Sequence, residues 1–160
     1  MKTRWLFSTI GKRGYIAEYL READPQVHIL GTGRDLFTPG FTCCDESALM
    51  PDIKSPDYGD AVRRLVIDQE IDAILSFTDP DVMALSLMRS ELAAQGVSCF
   101  FPGCEVALMG YDKLKTAAWA VAHGFPTPRT FLDPQQALDE VGLPVIRKPR
   151  RGSASTGVAA

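Results

Sequence analysis

The sequence predicts an α/β protein, an open and largely parallel sheet followed by the start of a second, differently organised domain. Two observations predict it. Short apolar runs suited to buried strands alternate with stretches of helical spacing up to about Gly103. That alternation calls for parallel strands joined by right-handed crossovers. After "FPG" the pattern changes. The totals permit this reading, because 160 residues with 46% hydrophobic and 23% charged content can bury a core but cannot make two full domains.

Trp5, Leu6, Phe7 and Ile10 predict a short buried strand, and the turn Gly11-Lys12-Arg13-Gly14 leads into the helical spacing of Tyr15, Ile16, Tyr19 and Leu20. Val27 to Leu30 reads as a second strand and Phe41 to Cys44 as a short third. Tyr58, Ala61, Val62, Leu65 and Val66 lie on one helical face, Ala73 to Phe77 returns to a strand, a helix runs from Asp81 to Ala94, and a strand covers Val97 to Phe101. Beyond a boundary near residues 103–111 come a helix from about Asp112 to His123, the turn-rich "GFPTPRTF", a helix over Gln135 to Val141 and a closing strand from Pro144 to Lys148. The division is residues 1–105 and 106–160.

The formal net charge of −3 gives no general attraction to nucleic acid or to an acidic membrane, so the cations at Arg147, Lys148, Arg150 and Arg151 act locally. No apolar run approaches the roughly 20 residues that span a bilayer, and no signal peptide follows Met1. The expected compartment is the cytoplasm. Cys43, Cys44, Cys99 and Cys104 fit neither a zinc ribbon nor a CxxC redox motif. They read as reduced, partly buried thiols. His28 and His123 have no acid or nucleophile arranged around them and read as structural.

Four stretches carry chemistry. "TIGKRGYIAEYL" puts a glycine turn between strand and helix, where backbone N–H groups can approach an anion, yet GxGxxG is missing, so a tight connection with two exposed cations is the first reading and a ligand contact from Lys12 or Arg13 the second. In "SFTDPD", Asp79 before Pro80 is what a helix start wants, while its place at the carboxyl end of a strand suits a ligand contact by Asp79 or Asp81. Lys113, in the first turn of a helix, opposes the macrodipole. A bound polyphosphate would explain it, and so would simple exposure with Asp112 as N-cap. Finally, "VIRKPRRGSASTGV" delivers Lys148 from a strand into a loop of small residues whose N–H groups and hydroxyls can wrap phosphate oxygens, without the GK[ST] of a Walker loop. Its bland alternative is a solvated basic face.

Taken together, "YDKLKTAAWAVAHGFPTPRTF" and "GLPVIRKPRRGSASTGV" resemble the opening of an ATP-grasp domain, and "CCDESALMPDIKSPDY" with "IDAILSFTDPDVMALSLMRSEL" resembles the Rossmann-like domain that precedes it. The sequence is most similar to the large subunit of carbamoyl-phosphate synthase and to amino-acid ligases such as the one that makes pyrrolysine precursors. The resemblance implies that Lys113 and Lys148 contact ATP phosphates and that Gly152, Ser153, Ala154, Ser155, Thr156 and Gly157 form the loop folding over them. It implies substrate contacts for Arg13, Asp79 and Asp81 more weakly. The implied chemistry is ATP-dependent activation of a carboxylate to an acyl phosphate, then attack by an amine, with ATP and Mg²⁺ as cofactors. The adenine contacts and the metal ligands are expected outside these residues, so the chain is expected not to turn over ATP alone and to act as a homodimer or with a partner chain. The alternative is a stand-alone nucleotide-binding or interaction module without catalysis.

Overall fold

The computed structural model describes residues 3–152 and 154–159. They form two compact units, Met1–Cys104 and Glu105–Ala160. In the first, β1 (Arg4–Ser8), α1 (Gly14–Ala23), β2 (His28–Gly33), a 3-10 turn (Pro39–Cys43), β3 (Glu46–Leu49), α2 (Tyr58–Asp68), β4 (Ala73–Ser76), α3 (Asp79–Ala94) and β5 (Ser98–Phe100) follow in that order. The five strands make one all-parallel sheet in the order β3-β2-β1-β4-β5.

Adjacent residues of a strand point to opposite faces, and both faces of the inner strands are covered, which is why β1, β2 and β4 read as continuous apolar runs. Leu6, Leu30 and Ile74 enter one core with Tyr58, Val62 and Val66 of α2 and with Leu85, Met88 and Leu92 of α3. Their neighbours Phe7 and Ile29 enter the other, with Ile10, Ala17 of α1 and Val27. Each Leu, Ile, Val, Phe or Met among them, withdrawn from water, contributes about 1.5–3 kcal/mol.

The expected strand at Phe41–Cys44 is instead the 3-10 turn, and the pairing strand lies at Glu46–Leu49. The reason is packing. Phe41, Cys43 and Cys44 turn inward to fill space left by glycines: a methyl group on Gly14 would lie 2.6 Å from the Cys43 sulfur, and one on Gly31 would lie 2.6 Å from the Cys44 sulfur. Burial, with Cys43 beside it, pushes the Cys44 thiol up to about 11, so it stays protonated as a small hydrophobe. All four cysteines are free thiols.

The second unit continues α4 (Cys104–Tyr111) into α5 (Lys113–Ala122) and α6 (Pro134–Val141). Asp112 caps α5 by accepting from the N–H groups of Leu114 and Lys115, and Asp133 caps α6 by accepting from Gln135. The closing strand expected at Pro144 to Lys148 is reduced to one antiparallel bridge between Arg147 and Ala159, with bonds of 2.7 and 2.8 Å. A strand needs a ladder of successive pairs, and in the described segment 144–148 Arg147 alone is paired. No helix among the described residues is long and apolar enough to cross a membrane.

Candidate functional site

From the central β1 the chain runs outward to β2 and β3 on one side and to β4 and β5 on the other. The carboxyl ends of β1 and β4 therefore form the switch point where open α/β sheets bind ligands. The turn Thr9–Arg13 and the segment Phe77–Asp79 flank it. Thr9 and Thr78 join them, with hydroxyl oxygens 3.2 Å apart. Lys12 is exposed and Arg13, the residue before α1, is half-buried. Asp79 is exposed, but Thr78 rather than Asp79 holds the cap position of α3, with Asp79 and Pro80 already helical.

Asp81, expected to face a ligand, is 0% exposed. It accepts from the Tyr58 hydroxyl, from Ser76 Oγ at 2.7 Å and from Thr9 Oγ1 at 3.0 Å. Because a carboxylate only accepts, the protons must run inward: Thr78 donates to Thr9 and Ser8 to Tyr58 (3.2 Å), and all converge on Asp81. Burial, then the adjacent Asp81, push the Tyr58 phenol far above its usual range, so it remains a donor. The network holds Thr9 at φ +51°, a region that a β-branched residue enters only under constraint. Nothing in the spacing of Ser8, Thr9, Tyr58, Ser76 and Asp81 announces this cluster. The one available signal was a run of hydroxyl residues at two strand ends.

In the second unit Lys113 begins α5, and its Nζ donates to the Gly152 carbonyl at 2.8 Å while its N–H donates to Arg150 at 3.0 Å. Thus the structure brings Lys113 to the head of the Gly/Ser loop. Lys148 is exposed and makes no ion pair among the described residues. Ala154, Ser155, Thr156 and Gly157 are exposed, Ser153 lies outside the described residues, and φ is positive at Gly152, Ala154, Ser155 and Gly157. Left-handed turns of small residues are the kind of backbone that can present N–H groups to an anion. No group of three His, Cys, Asp or Glu able to hold a metal ion occurs among the described residues.

Asp112, 1% exposed, takes both oxygens to Arg150 Nε at 2.8 Å, with Arg151 Nε at 3.6 Å. The hydrogen bond from Arg150 holds its carboxyl down to about 2, with the α5 N–H groups assisting. The folded value lies below the ordinary 3.8, so the pair stabilises the protein above the ordinary value and is lost as pH falls through about 2. The difference in melting temperature between the wild type and Asp112→Asn, followed by Trp119 fluorescence, is therefore expected to be constant above about pH 5 and to vanish near pH 2. A gap that persists undiminished at pH 2 contradicts the pairing.

The family model for the PylC-like N-terminal domain matches residues 5–100. The chain belongs to this family. The PylC-like domain is thus the parallel sheet with its helices, and the chain is an N-terminal portion of the ATP-grasp superfamily, as its motifs implied. No curated protein matches it. Among solved structures, the chain is similar to N5-carboxyaminoimidazole ribonucleotide synthetase from Thermotoga maritima, at 21% identity and a TM-score of 0.68, over 99% of this chain and 40% of that one. It is similar also to the biotin carboxylase domain of 2-oxoglutarate carboxylase from Hydrogenobacter thermophilus, solved with MgADP, ADP and bicarbonate (18%, TM-score 0.70, 99% and 37%). The ADP complex of N5-carboxyaminoimidazole synthetase from Staphylococcus aureus gives 15% and 0.70, over 96% and 40%. The chain of the PylC-like domain spans 37–40% of these proteins, and the likeness is one of fold.

Proposed function

We propose that the chain is the N-terminal part of an ATP-dependent carboxylate–amine ligase working through an acyl phosphate. The observation that carries the reading is the meeting of Lys113 with Gly152 at the start of the Gly/Ser loop. Transfer of the γ-phosphoryl group is largely a matter of positioning and charge neutralisation. In this reading Lys113 and Lys148 face the phosphates, and Gly152, Ser153, Ala154, Ser155, Thr156 and Gly157 lend their N–H groups and hydroxyls to the same oxygens. Mg²⁺, when bound, neutralises the β- and γ-phosphate charge. Arg13 and Asp79, flanking the switch point of the PylC-like sheet, hold the small carboxylate or amine. Asp81 serves that crevice through Thr9 rather than by touching the substrate. In this reading the protein acts in the cytoplasm.

The test is a titration of the chain with ATP and Mg²⁺, followed by Trp119 fluorescence, together with an assay for ADP. Saturable binding that weakens at least tenfold, about 1.4 kcal/mol, in Lys148→Ala and in Lys113→Ala is expected, with ADP formation at background. Wild-type affinity in both variants ends the reading.

A further inference from the structure

Arg150 and Arg151 lie in the basic stretch outside the residues proposed to contact phosphate, and the Asp112 carboxylate both caps α5 and pairs with them. Their geometry says more. One nearly buried carboxylate receives the N–H groups of Leu114 and Lys115 and the side chains of Arg150 and Arg151, from a segment 38 residues away. The backbone repeats the connection, with Asp112 and Arg151 paired in an antiparallel bridge and Lys113 N–H bonded to Arg150. Lys113 Nζ then reaches Gly152, the next residue along. Three cations with mutual repulsion are therefore gathered at one helix start, and Asp112 is the anion among these contacts that allows it.

We infer that Asp112 is a positioning residue: through Arg150 and Arg151 it clasps the base of the Gly/Ser loop to the first turn of α5, so that Lys113 and the loop are converged before an anion arrives. The inference rests on the nucleotide reading only for its consequence, since the clasp itself is a matter of this chain's own contacts. A converged site binds more tightly, because the cost of ordering the loop has been met in folding. The exposed cations then meet the ligand as a group.

Asn and Asp are equivalent as N-caps, whereas Ala is not. Asp112→Asn thus removes the clasp and keeps the cap. The first readout is amide hydrogen exchange by NMR. In Asp112→Asn, the Lys113 N–H is expected to exchange at least tenfold faster, with the amides from Ala117 to Ala122 unchanged. Arg150→Gln, which leaves the cap untouched, is expected to do the same, and the double variant is expected to be no faster than either single one. Unchanged exchange at Lys113 in Asp112→Asn, or acceleration only in Asp112→Ala, overturns the inference. The second readout is ATP affinity, expected to fall about tenfold in Asp112→Asn. If exchange accelerates but the wild type binds no ATP, the clasp stands and the nucleotide reading fails; if exchange is unchanged while Lys148→Ala weakens ATP, the reading stands and the clasp fails.

Discussion

Asp81→Ala is expected to lower the unfolding free energy of the PylC-like domain by roughly 3 kcal/mol. Three hydroxyls donate to this carboxylate, and bonds to a charged group are worth about 1.5–3 kcal/mol each. The loss is less than their sum because Ser76 and Thr9 are half-buried and can find water. Tyr58, 2% exposed, and Ser8, 1% exposed, cannot. The substitution also releases Thr9 from its left-handed backbone, so the end of β1 rearranges as well. Tyr58→Phe, which removes one donor, is expected to cost about 1–2 kcal/mol, and Asp81→Asn to fall between. The measurement is urea unfolding followed by Trp5, which stacks on Phe100 at 4.8 Å, in a Trp119→Phe background. A midpoint shift of about 1–2 M is expected for Asp81→Ala. A midpoint within about 0.3 M of the wild type would show that the cluster contributes nothing net.

Gly40→Ala is the second large effect. A methyl group there would lie 2.8 Å from the Gly11 carbonyl oxygen and 2.8 Å from Ile10 Cγ1. The Gly40 N–H already donates to that same carbonyl at 2.8 Å. Neither neighbour can yield cheaply, since one is backbone and the other is a fully buried side chain. Overpacking of this kind costs about 1–3 kcal/mol, and relief requires the 3-10 turn to lift from the turn that carries Lys12 and Arg13. The comparison is Gly59→Ala in α2, whose methyl would meet the end of Arg63 at 3.4 Å and the Met88 sulfur at an ordinary contact distance of 3.8 Å. That change is expected to be neutral or to stabilise by up to about 1 kcal/mol through helix propensity. Equal melting temperatures for the two variants would contradict the close approach at Gly40.

The parallel sheet was legible because strands covered on both faces leave unmistakable apolar runs, as at Val27–Leu30 and Ala73–Phe77. The same rule misled at Phe41–Cys44. Those side chains are apolar because they fill gaps above Gly14 and Gly31, while the true edge strand, Glu46–Leu49, is mostly exposed and has little reason to be apolar. At Asp79 the helix start was legible but its cap was not: Thr78 holds that position without a side-chain capping bond, and Asp79 is already helical. Helix α4 was missed, since it is only eight residues long and Gly110 interrupts it. Of the candidate site, the meeting of Lys113 with Gly152 agrees with the order of motifs, but the Asp112–Arg150 pair and the Asp81 network depend on contacts across 38 and 72 residues. Pairings so distant have no local signature.

The strand order has a consequence in time. Of the five strands of this sheet, β1 comes first in the chain and lies in the middle, and its partner β4 lies some seventy residues later, at Ala73–Ser76. On the ribosome, β1 can pair with β2 early, yet its other edge stays open until β4 emerges, and the core formed by α3 follows later still. Such non-local closure makes for slow folding, and a nascent sheet with one unpaired apolar edge is the kind of species that aggregates or engages a chaperone.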